Sequence, residues 1–246
     1  MARVLPAALS AAAASAFSRK EDSPPVFSKI GAPPTSAPPD QVAIEAADMR
    51  MLGELALHLA AMPKSEKGAL NILAVAATAA VDPGSVALSL ARSLAKAGRK
   101  AIAVDAGSGS RDFAAALPNP AEGGLGELIA GKISFGQAIQ RDRTSAAHLI
   151  ASGAAGLLNM SAYGRIDVVF NALGLTYDFV IVLSPPAEKL AEVKALAQGT
   201  GAAILVSHVQ DLATTVAHNA LAAAGIGDIV LLLTDAAPAR PAERAS

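Results

Sequence analysis

Residues Asn71 to Asp105 read NILAVAATAAVDPGSVALSLARSLAKAGRKAIAVD, and this stretch decides the fold. Asn71–Thr78 is an unbroken apolar run, which suits a strand buried on both faces of a parallel sheet. Ser85–Ala97 repeats apolar residues at helical spacing, with Val86, Leu90 and Leu94 in register, and Gly98 stands where that helix should be capped. Lys100–Asp105 is a second apolar strand. Strand, helix and strand in one short span make a βαβ unit, whose crossover is right-handed on steric grounds.

The alternation continues downstream. Leu125–Ala130 and Phe135–Ile139 read as short helices, Ala147–Ala151 as a strand, Ile166–Leu173 as a helix and Phe179–Leu183 as a buried strand. Glu188–Ala197, Ala202–Ser207, Leu212–Ala224 and Ile229–Thr234 follow as helix, strand, helix and strand. The expected architecture over residues 41–235 is one α/β domain with a doubly wound, mostly parallel sheet. Upstream, Gln41–Ala61 is helical, with Ile44, Met51, Leu52, Leu55 and Leu59 near one face, and Pro63 ends it. Residues 1–40 read as an arm: an Ala-rich helix from Leu5 to Phe17, then a tether carrying Pro24, Pro25, Pro33, Pro34, Pro38 and Pro39. Arg3 and the Ala14-Ser15-Ala16 triplet also fit a secretory signal, but Pro6 and a weakly apolar stretch favour the helix. Residues 236–246 read as an unstructured tail.

Composition narrows the function. The 246 residues carry 20 Lys+Arg against 21 Asp+Glu, a formal net charge of −1, so a nucleic-acid partner is not expected. There is no Cys, which excludes disulfides and thiolate metal sites. Only 3% of residues are aromatic, so the core must be built from Ala, Val, Leu and Ile. The mean hydropathy of +0.42 looks membrane-like, but Ala carries it. Runs such as Ile229–Leu233 fall far short of the roughly 20 apolar residues a spanning helix needs.

In such a sheet ligands bind at the carboxyl ends of the strands. The first end is Thr78-Ala79-Ala80-Val81-Asp82-Pro83-Gly84-Ser85. It has the strand–loop–helix setting of a phosphate-binding loop, with one Gly and one Ser. It lacks the Lys that would meet the phosphate charge, and Pro83 removes a backbone donor. The second end, Asp105-Ala106-Gly107-Ser108-Gly109-Ser110, places a carboxylate that serves a metal or a ribose, or else makes an Asx-turn or an N-cap. The third strand ends in Leu183, where an acidic residue would orient Mg²⁺ or water, and the fourth in Thr234-Asp235. Other chemistry is poorly served. His58, His148, His208 and His218 are scattered, Ser184 has no G-x-S-x-G elbow, and no G-x-G-x-x-G follows a strand.

Three segments carry a resemblance. Leu90–Lys100 followed by a strand to Asp105, Gly124-Leu-Gly-Glu-Leu-Ile-Ala-Gly131, and Tyr177-Asp178-Phe179-Val180-Ile181-Val182 with Pro185-Pro186 occur in order. Together they resemble the bacterial tyrosine-kinase (BY-kinase) family. Its members are the cytoplasmic P-loop domains of polysaccharide co-polymerases, related to the Min/Par deviant-Walker ATPases. The resemblance covers about Ala46 to Asp235 and implies a P-loop-type fold.

The departures bear on activity. The family's P-loop Lys falls at Pro83, the second Asp of its second Walker motif at Gly107, its Walker-B Asp at Leu183, and the adenine-facing Asn of related ATPases at Thr234. Asp105 is kept. Of the helical E..R..R oligomerisation motif only Arg50 remains, with Ala47 and Gly53 at the other places. The Tyr-rich autophosphorylated tail is absent, the only tyrosines being Tyr163 and Tyr177. The resemblance thus implies a vestigial nucleotide pocket at Asp82, Gly84, Ser85 and Asp105, no catalytic residue and no metal site, with Arg50 left for interaction.

The expected function is that of a non-catalytic partner of a membrane-embedded polysaccharide co-polymerase in exopolysaccharide, capsule or holdfast synthesis. Self-association and a cytoplasmic site at the inner membrane go with it, and no cofactor is expected. Two alternatives stand beside this reading: an active ATPase or tyrosine kinase with a rewritten loop, which would use ATP and Mg²⁺, and a pseudo-ATPase localisation adaptor of the pilus type.

Overall fold

The computed structural model describes residues 40–61, 68–119, 122–154, 159–208 and 212–233. The arm, Pro63, Thr234, Asp235 and the tail lie outside the described residues.

Helix α1 (Asp40–Ala61) leads into β1 (Leu70–Ala76), α2 (Gly84–Lys96) and β2 (Ala101–Asp105). Three short helices follow: α3 (Arg111–Ala116), α4 (Leu125–Ile129) and α5 (Phe135–Ala138). The hairpin β3 (Ile139–Arg141) and β4 (His148–Ile150) comes next, then α6 (Met160–Tyr163), α7 (Ile166–Gly174) and β5 (Phe179–Leu183). The chain continues through α8 (Leu190–Ala197), β6 (Ala202–Ser207), α9 (Leu212–Ala223) and β7 (Asp228–Leu233).

The seven strands lie in the order β3-β4-β2-β5-β1-β6-β7, and every pairing is parallel except β3 with β4. The central strands are buried on both faces, as their continuous apolar runs require. Alternation of side chains splits the core in two. Ile72, Ala74, Ala103, Ile181 and Ile204 meet α1 and α2 on one face. Leu73, Val75, Val104, Val182 and Leu205 meet α7, α8 and α9 on the other. Ala87 and Ala91, both fully buried, let α2 approach the sheet closely. Helix α1 packs its Leu52, Ala56 and Leu59 onto this first face and leaves Arg50 exposed.

The helix ahead of β2 ends as its Gly98 requires. Gly98 takes φ +79°, its N–H donates to Ala95 O at 3.0 Å and that of Arg99 donates to Leu94 O at 3.0 Å. This is a Schellman closure, with the glycine just past the last helical turn. Three elements were not expected from the sequence. Phe135–Ile139 stops being helical at Ala138, and Ile139 instead opens the antiparallel edge strand β3. Helices α3 and α6, of six and four residues, are too short for periodicity to register. Both are defined by caps: Ser110 Oγ accepts the N–H of Phe113 at 3.0 Å, and Asn159 Oδ1 that of Ala162 at 3.1 Å.

Candidate functional site: the carboxyl ends of the strands

The loop between β1 and α2 and the loop between β2 and α3 lie side by side. A Cβ added at Gly84 would fall 1.9 Å from Ser110 Oγ and 3.0 Å from Phe113 N, so the two helix starts touch. Only glycine fits there.

Asp82 ties this junction together. Its Oδ1 accepts the Gly84 N–H at 2.8 Å, and its Oδ2 accepts those of Arg111 at 3.1 Å and Asp112 at 3.4 Å. The free N–H groups at the start of α2 are what a nucleotide phosphate would use in such a loop. Here a carboxylate of the chain itself takes one of them, while Pro83, buried, contributes none. The Asp112 carboxyl is pushed up by its burial and by the Asp82 charge, so the junction is already rich in negative charge. Ser85 stands exposed in the first turn of α2.

Asp105 ends β2, nearly inaccessible at 6% exposure. Its Oδ1 accepts the N–H groups of Gly107 at 3.0 Å and Ser108 at 2.8 Å, closing an Asx-turn in which Gly107 takes φ +93°. Burial raises its pKa, against hydrogen bonds from Ser108, Gly107 and Ser152. Asp105 is paired in register with Leu183, which is fully buried at the end of β5. The neighbouring position that would carry a second carboxylate is therefore packed with hydrocarbon. Among the described residues no group of three or more His, Asp or Glu is arranged to hold a metal ion.

Several further polar groups at this end are bonded inward. The Tyr163 hydroxyl donates to Ala106 O at 2.7 Å; burial, with the charges of Glu192 and Asp105, pushes its pKa up to about 12. Ser184 Oγ donates to Pro185 O. Ser207 Oγ and Thr214 Oγ1 lie 2.8 Å apart. The Gly124–Gly131 segment docks against the end of β4: Leu125 N–H donates to Ala151 O at 2.7 Å and Gly126 N–H to Ser152 O at 3.0 Å. Glu127 Oε2 accepts the Gly124 N–H at 2.8 Å and Oε1 that of Ala154 at 3.0 Å.

The structure thus brings Asp82, Gly84 and Asp105 to one end of the sheet, with Ser85 on the neighbouring helix turn. Arg50 stands apart on α1. Sequence reading missed the bond of Asp82 to α3 and the inward Tyr163. The Asp-x-Gly spacing of residues 82 and 84 signals only the local bond of Asp82 to the Gly84 N–H; nothing local marks its reach to α3 or the place of Tyr163.

Comparison with solved structures places the fold. Over 87% of this chain and 86% of the other, it superposes on the kinase domain of the Escherichia coli tyrosine kinase ETK with a TM-score of 0.65 at 20% identity. The BceF tyrosine kinase domain gives 0.63 at 18% identity, covering 78% of this chain and 88% of that one. A MinC:MinD cell division complex from Aquifex aeolicus gives 0.55 at 17% identity, covering 67% and 68%. The chain therefore has the fold shared by bacterial tyrosine-kinase domains and MinD-type ATPases, as the resemblance in its sequence implied. No protein-family profile and no curated protein sequence matches it.

Proposed function

We propose that this chain is a nucleotide-free relative of the BY-kinase domains, and that it acts by binding a membrane-embedded polysaccharide co-polymerase. The observation that carries the first half is the Asp82 carboxylate seated on the Gly84 N–H. A phosphate entering there displaces a tethered anion and meets Asp82, Asp105 and Asp112, with Arg111 as the neighbouring cation and no P-loop Lys. Phosphoryl transfer draws its rate from positive charge around the transferred group. A site whose charge is negative and whose Walker-B position is Leu183 supplies the opposite.

The second half rests on the Gly124–Gly131 and Tyr177–Pro186 segments, which resemble the polysaccharide branch of the family. A fold that keeps its sheet without reactive groups still offers surfaces. Helix α1, with Arg50 exposed ahead of β1, supports self-association at the place the family uses for it. The test is capture of the co-polymerase by the tagged full chain from detergent extracts, beside a polymer assay in a deletion strain. Loss of polymer with capture of the co-polymerase is the expected result. Unchanged polymer with no membrane partner captured overturns this half and leaves the localisation-adaptor reading.

A further inference from the structure

The charges of the described residues are unevenly distributed along the strand axis. The carboxyl end of the sheet carries Asp82, Asp105, Asp112, Glu127, Glu188 and Glu192, together with the cations Arg111, Lys132 and Lys189. The opposite end, where the strands begin, carries Lys96 and Lys194 in the closing turns of α2 and α8, Lys100 just before β2, and Arg141 and Arg143 in the β3–β4 hairpin. All five cations are exposed.

The anions at that end are already engaged or buried. Asp142 takes a bidentate grip from Arg92, at 3.0 and 2.8 Å. Asp178 Oδ2 accepts from Arg99 Nε at 3.2 Å and from the Lys100 N–H at 3.0 Å. Asp228, at the far edge, is 6% exposed. Lys96, Lys100 and Arg141 form no ion pair among the described residues, so this end presents net positive charge to solvent.

A second observation lies in the same place. Leu175, in the turn between α7 and β5, is 89% exposed, more than any other large apolar side chain among the described residues. Three residues later the Asp178 N–H donates to Lys100 O at 2.8 Å, which sets this turn beside Lys100. A bare apolar tip at the same end of the sheet as exposed Lys and Arg matches the chemistry of a bilayer interface. The tip enters the headgroup layer and the charges lie over anionic headgroups.

We propose that this end of the molecule lies directly on an anionic phospholipid surface, with Leu175 as its apolar contact and Lys96, Lys100, Arg141 and Arg143 as its headgroup contacts. Lipid is the occupant chosen because the exposed cations of α2, the start of β2 and the β3–β4 hairpin accompany one bare apolar tip, Leu175, rather than the extended apolar patch that a protein interface buries. The inference goes beyond the co-polymerase reading, which places the chain at the membrane only through another protein.

The test is co-sedimentation of the full chain with vesicles of phosphatidylcholine alone and of phosphatidylcholine with phosphatidylglycerol, across a salt series. Binding to the anionic vesicles only, released by salt, is expected. The double variant Lys100→Glu/Arg141→Glu lowers the partition by more than about 25-fold, since each cation near such a surface accounts for about a fivefold factor. Leu175→Ser lowers it severalfold, and Lys132→Glu, a charge reversal at the carboxyl end, leaves it unchanged. Circular dichroism melting checks that each variant is folded; Lys96→Glu/Arg143→Glu replaces the first pair if that pair is not. No pelleting with either vesicle overturns the proposal. So does pelleting that both charge-reversed pairs leave intact, which assigns the contact to another segment. If vesicles never bind but charge reversal weakens capture of the co-polymerase in detergent, the face belongs to a protein and the lipid proposal fails.

Discussion

At the scale of single residues, Asp82 does two jobs with one carboxylate. It occupies the donor a phosphate would use, and it joins the starts of α2 and α3. Asp82→Ala releases three N–H contacts at once, and loss of a helix-capping acceptor costs about 1–2 kcal/mol. A fall in Tm of roughly 3–6 °C is expected by calorimetry. Gly124 is constrained by space: a Cβ there would sit 2.2 Å from Ala151 O and 2.5 Å from Gly153 N, both backbone atoms. Gly124→Ala should therefore cost about 3 kcal/mol or more, read as a lowered urea midpoint with unchanged slope. Asp142 carries the acid limb of stability. Burial opposes its charge, but Arg92, Ser145 and Thr144 hold it well below the usual carboxylate range. Its folded pKa lies under its unfolded value of about 3.9, so its contribution is full above that value and is lost as pH falls through it toward the folded pKa. Asp142→Asn should lower Tm at neutral pH and shrink the difference between neutral and acid Tm; an unchanged difference would remove Asp142 from this role.

At the scale of elements, what the sequence made legible follows burial. Strands β5 and β6 were read to the residue, because FVIVL and AAILVS are apolar throughout and bounded by turn residues. Helix α2 was read within a residue at each end, since its buried face is periodic and Gly98 follows it. Strand β3 was not, because its three edge residues run half-buried, buried and exposed, and the buried one is the polar Gln140, so no apolar alternation marks the strand. The same logic divides the site. The losses at Pro83, Gly107 and Leu183 are visible as residue types, whereas the place of Asp82 depends on α3, whose start is fixed by contact with Gly84. Helix α1 carries a prediction of its own. Its packing residues are Leu52, Ala56 and Leu59, and Arg50 is exposed beside them. Arg50→Glu should weaken self-association in sedimentation velocity while shifting Tm by no more than a degree or two, because exposed charge changes cost little stability.

At the scale of the whole molecule, the fold has two ends with different properties. At the carboxyl end of the sheet, Asp82, Asp105, Tyr163, Ser184 and Ser207 bond within the chain. The other end is cationic and carries the exposed Leu175. In the function proposed above, the molecule works through its surfaces and its crevice serves as structure. The most direct test is isothermal titration of the full chain with ATP and Mg²⁺. The account predicts no saturable heat and no release of ADP on prolonged incubation. Saturable binding in the micromolar range would contradict it, and would return Asp105 and Ser85 to the role of nucleotide ligands.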